Sequence, residues 1–161
     1  FLSLNAEVPQ NWWEKQNRCY MVWRFGKPPE VAIEIVSNKV GDELGEKLRI
    51  YEHMRASYYI VYDPTNQLSE EALRIYELRG MRYSQTSETW LEQVGLGLTL
   101  WSGKFEDRQD SWLRWCYKDG TILPTGDERA DNAEQRADNA EQKAAKLAEK
   151  LREMGINPDN L

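Results

Sequence analysis

The fold is decided by an apolar strand pattern that one glutamate interrupts, Val31-Ala32-Ile33-Glu34-Ile35-Val36. Strands this apolar are usually buried on both faces. A charged side chain is almost never placed in such a strand unless it is paired or bound to a metal. Because side chains alternate along a strand, Glu34 shares a face with Ala32 and Val36, where there is room for an ion or a partner. Glu34 is therefore the first candidate functional residue.

A helix with an inward-facing lysine is predicted directly after this strand. Residues 37–42 are a polar turn, and Asp42 is of the residue type that caps helix N-termini. Apolar residues then recur at helical spacing and place Lys47 on or beside the inward face. Gly45 would cost about 1 kcal/mol relative to alanine inside this helix, and close backbone approach to the preceding strand is one reason to keep it.

A second β-rich run covers residues 58–62 and is stopped by Pro64. Strand, helix of about 14 residues and strand make a βαβ-like unit. We expect residues 31–36 and 58–62 to form neighbouring central strands with the helix packed across them. Glu34 and Lys47 would then meet, so that a metal on the carboxylate could activate water while the lysine stabilises developing charge. A buried ion pair without chemistry is the alternative.

At these residues the chain resembles the putative restriction endonuclease family, which has the PD-(D/E)xK nuclease fold. The resemblance covers roughly residues 1–125 and rests on Val31–Ser37, Asp42, Glu46-Lys47, Tyr51 and Tyr59–Pro64. It implies a DNA endonuclease that depends on Mg²⁺ or Mn²⁺. Glu34 would be the catalytic, metal-binding acid of the second motif, with the carbonyl of Ile35 as a further metal ligand. Lys47 would be the catalytic lysine, displaced from strand position Val36 onto the following helix.

The resemblance also implies a first-motif aspartate, after a proline and ahead of a strand such as Phe1–Leu4. We expect this aspartate just upstream of Phe1, in a longer protein of which this sequence is a part. Loss of the motif from a nuclease-derived chain is the alternative. Two function classes therefore stay open: a metal-dependent DNA endonuclease, and a non-catalytic interaction module that self-associates through its C-terminal tail.

The charge of the chain argues against a nonspecific coat on nucleic acid. Its formal net charge is −6, whereas affinity for DNA comes largely from neutralising phosphates. A local basic face is still predicted, because four basic residues alternate with aromatic residues in a segment without acidic side chains, and they are Lys15, Arg18, Arg24 and Lys27. The alternative is that the tryptophans of this segment pack inside and the charges are simply solvated.

The number and spacing of cysteines, together with hydropathy, predict the cellular location of the protein. Cys19 and Cys116 lack metal-binding spacing, which favours a reduced, cytoplasmic protein. No apolar run approaches the roughly 18–20 residues that span a membrane. The length of 161 residues leaves room for one domain of about 125 residues and an extension.

The remaining part of the first domain, residues 1–124, is predicted to be β structure. A hairpin turns at Arg79-Gly80, and a strand pair is expected near residues 96–101 and 112–117. These strands would form a β accretion that covers one side of the core. The predicted fold class is therefore α/β (α+β), a restriction-endonuclease-like mixed central sheet with a flanking helix, followed by a long C-terminal helix.

The C-terminal segment, residues 125–155, is predicted to be a coiled-coil helix, with 156–161 as a tail. Thr125 and Glu128 have the spacing of a capping box, and residues 129–135 recur letter for letter at 136–142. Alanines, two leucines and a methionine form an unbroken a/d seam, and Glu at e with Arg or Lys at g favours a parallel homodimer through residues 126–154. A single solvated helix is the alternative.

Overall fold

The computed structural model describes residues 1–7, 9–11 and 13–155, and the chain divides into two compact units. The first unit spans Phe1–Ile122, and the second begins at Leu123. The predicted tail at 156–161 lies outside the described residues. The elements in chain order are a 3-10 turn Lys15–Asn17, α1 Val22–Phe25, β1 Val31–Ile35, α2 Glu46–Met54, β2 Tyr58–Tyr62, β3 Leu73–Arg79, β4 Arg82–Thr86, β5 Trp90–Leu91, β6 Leu96–Phe105, β7 Arg108–Cys116 and α3 Gly126–Glu153.

A mixed sheet forms the centre of the first unit, which confirms the predicted fold class. Its strand order is β1-β2-β3-β4, with β1 parallel to β2 and the other neighbours antiparallel. The parallel pair is joined through α2, as predicted for a βαβ-like unit. The hairpin β3–β4 turns at Gly80, whose φ of 66° is left-handed. This hairpin extends the central sheet, so its assignment to the β accretion was wrong.

The first strand lies at the edge of this sheet, so the prediction of two central strands is wrong for β1. All five residues of β2 are buried, whereas β1 is buried at Val31 and Ala32 and ends at Ile35, which is 65% exposed. Among the described residues, the outer side of β1 is bridged only at Val31, by Leu2. An edge strand lacks a neighbour on one side, so its end is open to water even where its side chains are apolar.

Two layers cover the two faces of the central sheet. The three-stranded antiparallel sheet β5-β6-β7 packs against one face and is the predicted β accretion, through a cluster that contains Val31, Tyr58, Ile60, Ile75, Leu91 and Leu98. Helix α2 packs against the other face, through a cluster that contains Ala32, Val36, Tyr59, Val61, Leu48 and Tyr51. Full burial of a valine, leucine or isoleucine side chain contributes about 1.5–3 kcal/mol. Glu34 belongs to the face that α2 covers.

The connection into α2 differs from the prediction. The helix begins at Glu46 and has nine residues, so Asp42 is outside it. Asp42 has a left-handed φ of 47°, and its Oδ2 accepts the backbone N–H of Glu46 at 2.8 Å. Asp42 therefore satisfies an open N–H group of the first turn from the preceding loop. A Cβ on Gly45 would collide with the Asp42 carboxylate, so the close approach predicted for Gly45 is to this side chain and not to the strand.

Four tyrosines stack between α2 and the central sheet. The ring of Tyr59 has its centroid 4.9 Å from that of Tyr51, 6.0 Å from that of Tyr76 and 5.9 Å from that of Tyr83. Aromatic contacts in this range stabilise by about 0.5–1.5 kcal/mol beyond their buried area. Burial raises the pKa of all four phenols. The stack fixes α2 over the end of β1.

The described part of the second unit consists mainly of one long helix. Thr125 caps α3 and Glu128 completes the capping box, as predicted, and Gly155 follows the helix with a left-handed φ of 79°. At 28 residues the helix is about 42 Å long. None of its described residues is buried, and Leu147 on the predicted seam is 61% exposed. No helix in the described part of the chain is long and apolar enough to cross a membrane.

Candidate active site

The predicted pair of Glu34 and Lys47 is present in the structure. Lys47 Nζ, on the first turn of α2, donates a hydrogen bond to Glu34 Oε2 at 3.0 Å. The Lys47 side chain is 34% exposed and that of Glu34 is 22% exposed, so the pair is open to solvent on one side. Alternation along β1 puts Glu34 on the face that α2 covers, which is why the two side chains meet.

A third charged residue joins this pair, and sequence reasoning missed it. Glu43 lies in the loop between β1 and α2, and its Oε1 accepts a hydrogen bond from Lys47 Nζ at 3.1 Å. Its side chain is only 5% exposed. The available signal was the spacing of four residues between Glu43 and Lys47, which brings side chains together on a helical turn. One ammonium is therefore shared by two carboxylates.

The second oxygen of Glu34 is held by a tyrosine. Tyr51 lies one helical turn after Lys47, and its hydroxyl donates to Glu34 Oε1 at 2.5 Å. Burial, followed by the hydrogen bond to Glu34, raises the pKa of Tyr51, which stays a protonated donor. The hydrogen bond to Glu34, assisted by Glu43, raises the pKa of Lys47. At neutral pH the site therefore holds one ammonium and one phenol aimed at Glu34.

Oxygen ligands are the donors that this site offers to a cation. Carboxylate and carbonyl oxygens suit hard ions such as Mg²⁺ and Mn²⁺. Ile35 follows Glu34 on β1, so its carbonyl lies next to the acidic residue in the chain. Within the described residues no group of three or more His, Cys, Asp or Glu side chains is arranged to hold a metal. The acidic side chains of the described site are the two that contact Lys47, Glu34 and Glu43.

The four basic residues predicted to contact DNA have different surroundings. Lys15 begins the 3-10 turn and is exposed, as is Arg24 in α1. Arg18 donates to the carbonyl of Trp13 from Nε at 2.9 Å and from Nη2 at 2.5 Å. Lys27 Nζ donates to the carbonyl of Leu4 at 2.6 Å and forms an ion pair with Glu30. Arg18 and Lys27 are thus already engaged within the chain.

Trp13 and Trp23 do not follow the alternative of internal packing, and Trp12 lies outside the described residues. Trp23 is 83% exposed and Trp13 is 56% exposed. Both tryptophans are exposed close to basic residues in the chain. Surfaces that stack on nucleic-acid bases combine exposed aromatic rings and basic side chains in this way.

Comparison with known proteins places the chain within one family. The sequence model of the Uma2 family, described as putative restriction endonuclease, matches residues 6–101, which is more than half of the chain. The matched span contains the whole cluster of Glu34, Glu43, Lys47 and Tyr51. None of the curated proteins or solved structures compared with the chain matches it. The mixed sheet and its flanking helices are those of a restriction-endonuclease-like fold.

Proposed function

Because the chain belongs to the Uma2 family of putative restriction endonucleases, we propose that it is a metal-dependent endonuclease that hydrolyses phosphodiester bonds in DNA. The observation that carries the proposal is the contact between Glu34 and Lys47, 3.0 Å apart at the end of β1. A carboxylate that can hold a cation and an ammonium that can stabilise negative charge are the two groups that phosphoryl chemistry requires at one place.

The proposed cofactor is Mg²⁺ or Mn²⁺, held by the Glu34 carboxylate and the carbonyl of Ile35. The donor set fits, because Mg²⁺ in proteins is held by one or two carboxylates and completes its coordination with water and substrate phosphate. Glu34 Oε2 already faces a cationic group, the ammonium of Lys47. When bound, the ion supplies Lewis-acid stabilisation and an activated water.

The residues of the chain have distinct tasks in this proposal. Lys47 is protonated at neutral pH, as an ordinary lysine is, and Glu34 and Glu43 raise its pKa further, so its ammonium can stabilise the charge that develops on the phosphate. Tyr51 fixes the orientation of the Glu34 carboxylate through its hydrogen bond. Lys15 and Arg24 contact the DNA backbone, with Arg18 and Lys27 ordering the same segment and Trp13 and Trp23 available for stacking.

The bridge between Leu2 and Val31 supports a position for the proposed first-motif aspartate. Leu2 N–H donates to the Val31 carbonyl at 2.9 Å, Val31 N–H donates to that of Leu2 at 3.1 Å, and the pairing is antiparallel. In a chain that continues this register upstream, the second residue before Phe1 stands opposite Glu34 and its side chain lies on the same face. We propose that an aspartate there completes the acidic site.

The nuclease activity is tested with supercoiled plasmid DNA. A chain extended by its natural upstream residues should nick the plasmid when Mg²⁺ or Mn²⁺ is added and should stop when EDTA is added. Glu34→Gln, purified in parallel, should have no activity, which excludes a contaminating nuclease. Equal nicking by both proteins, or no nicking by the extended wild-type chain with either metal, contradicts the proposal. We place the reaction in the cytoplasm, which the two unpaired cysteine thiols support.

We further propose that the chain forms a parallel homodimer through α3. The support is the seam itself: Leu147 is 61% exposed in a helix without buried residues, and Met154, which follows the helix as its C-cap, is 73% exposed. This seam also favours the second candidate function, an interaction module without catalysis. Because most seam positions are alanine, association should be weak and should depend on the few large residues.

Ultracentrifugation at several protein concentrations tests the dimer. We expect Leu147→Asp with Leu151→Asp to give a monomer with an intact first unit, since charges cannot enter a packed seam. Single charge reversals at Arg136 or Glu141 should weaken pairing, and the double exchange should restore it. Glu149→Lys, a single reversal away from the predicted pair, is the control. An association state that is unchanged in all these variants would rule out the dimer.

A further inference from the structure

Glu43 is the most deeply buried carboxylate of the candidate site and has an unused oxygen. The residue is only 4% exposed, and its Oε1 accepts the hydrogen bond from Lys47. Its Oε2 is shielded from solvent and has no hydrogen-bond partner among the described residues. Buried carboxylate oxygens are nearly always hydrogen-bonded or bound to a cation, so this orphaned oxygen calls for an explanation.

The loop between β1 and α2 is built to turn Glu43 inward. The hydroxyl of Tyr59 donates to the Glu43 carbonyl at 2.9 Å, within the core. Gly41 lies against the Glu43 carboxylate so closely that a Cβ at position 41 would collide with it. Asp42, in a left-handed conformation, ties the same loop to α2. Three neighbouring contacts thus fix a buried acid in place.

Negative charge is in excess around Lys47. Two carboxylates, Glu34 and Glu43, contact one ammonium, and the remaining hydrogen bond to Glu34 comes from the neutral phenol of Tyr51. A divalent cation in place of the ammonium would neutralise both carboxylates, and bidentate binding by Glu43 would give its Oε2 the partner that it lacks. The nitrogen lies 3.0 and 3.1 Å from the two oxygens. Mg²⁺ binds oxygen at about 2.1 Å, so the two carboxylates would need to move inward by only about 1 Å each.

We propose that Glu34 and Glu43 form a two-carboxylate site for a divalent cation, and that the Lys47 ammonium closes this site until the metal displaces it. The inference rests on the proposed function for the role of Glu34 and adds Glu43 as a second metal ligand. Oxygen donors select Mg²⁺ or Mn²⁺ over softer metals. Displacement releases Lys47 from both carboxylates and frees its ammonium for the phosphate of the substrate.

Binding of Mn²⁺ alone to the full chain tests the proposal without relying on activity. Calorimetry, or the electron paramagnetic resonance of free Mn²⁺, measures affinity. Glu43→Gln should weaken binding at least tenfold, which is the scale of effects when groups that support a metal are removed. Glu46→Gln is the matched control, because it removes the same charge from an exposed residue beside Lys47. Lys47→Gln should tighten binding, since it removes the competing ammonium.

A second variant moves Glu43 without changing charge. Gly41→Ala forces the carboxylate away, and the backbone φ of Gly41 is not one that strains alanine, so the chain should fold. We expect weaker Mn²⁺ binding with a thermal unfolding midpoint close to that of wild type. If Glu43→Gln and Gly41→Ala both bind Mn²⁺ as tightly as Glu46→Gln, the assignment of Glu43 as a metal ligand is wrong. If only Glu34→Gln then loses Mn²⁺ binding, the proposed function still stands. If Glu34→Gln also binds normally, or wild type does not bind, the metal assignment fails as a whole.

Discussion

Replacing Lys47 with alanine should lower the rate of metal-dependent DNA nicking by a factor on the order of 10²–10³, the usual effect of removing one group that stabilises transition-state charge. The ammonium lies 3.0 Å from Oε2 of Glu34, the proposed metal ligand. Because the same substitution removes the cation between two carboxylates, it should not weaken binding of the metal. A large loss of rate at saturating Mn²⁺ would therefore report chemistry and not cofactor loss.

Rates from initial-phase plasmid nicking, measured across metal concentrations, check this expectation. Lys39→Ala is the control, because Lys39 is an exposed lysine in the same connection between β1 and α2. Its rate should stay within about twofold of wild type, since exposed charges contribute little beyond screened electrostatics. If Lys47→Ala and Lys39→Ala nick at the same rate, the catalytic assignment of Lys47 is wrong.

Replacing Asp63 with alanine should cost about 3–5 kcal/mol of unfolding free energy at neutral pH, because hydrogen bonds to a charged group contribute about 1.5–3 kcal/mol each. Asp63 is fully buried after β2 and accepts the backbone N–H groups of Gln67 at 2.8 Å and Leu68 at 2.6 Å. The substitution also deprives buried Arg74 of a nearby negative charge. Urea unfolding of both proteins measures the difference.

The pH dependence of this difference has a definite sign. Burial alone would raise the pKa of Asp63, but the backbone hydrogen bonds from Leu68, Gln67 and Ser69, with the charge of Arg74, lower it overall. A lowered pKa stabilises the fold above the unfolded value of about 3.9, and this contribution disappears as pH falls through the folded pKa. The gap between wild type and Asp63→Ala should therefore narrow in acid. Glu70→Ala, an exposed control in the same connection, should show no comparable gap at any pH.

Local patterns in the sequence predicted the parts of the fold that depend on local interactions. The apolar run of β2, the turn at Gly80 and the capping box at Thr125 are each determined by residues close together in the chain, and each prediction is confirmed. The edge position of β1 depends on which strands lie beside it, and an apolar run does not contain that information. The predicted start of α2 at Asp42 was wrong because Asp42 lies in the loop before the helix, in a left-handed conformation. From there its side chain accepts a hydrogen bond from the first turn of α2.

The candidate site was predicted only where it lies on regular elements. Alternation in β1 and helical spacing in α2 bring Glu34 and Lys47 together, so periodicity was sufficient for this pair. Glu43 lies in a loop, and its burial depends on the hydroxyl of Tyr59 and on the space at Gly41. Neither contact has a periodic signature in the sequence. Loop residues that are held by distant side chains are for this reason the part of a site that patterns miss.

The tyrosine stack between α2 and the central sheet sets an alkaline limit to the folded state. Phenols in an unfolded chain ionise near pH 10, whereas burial raises the pKa of Tyr51, Tyr59, Tyr76 and Tyr83 above that value. As pH rises past about 10, only the unfolded chain gains by releasing these protons, so stability falls with each further increase in pH. We therefore expect the buried phenols to ionise together with unfolding of the first unit, so the rise in tyrosinate absorbance should have a component that coincides with the loss of secondary structure.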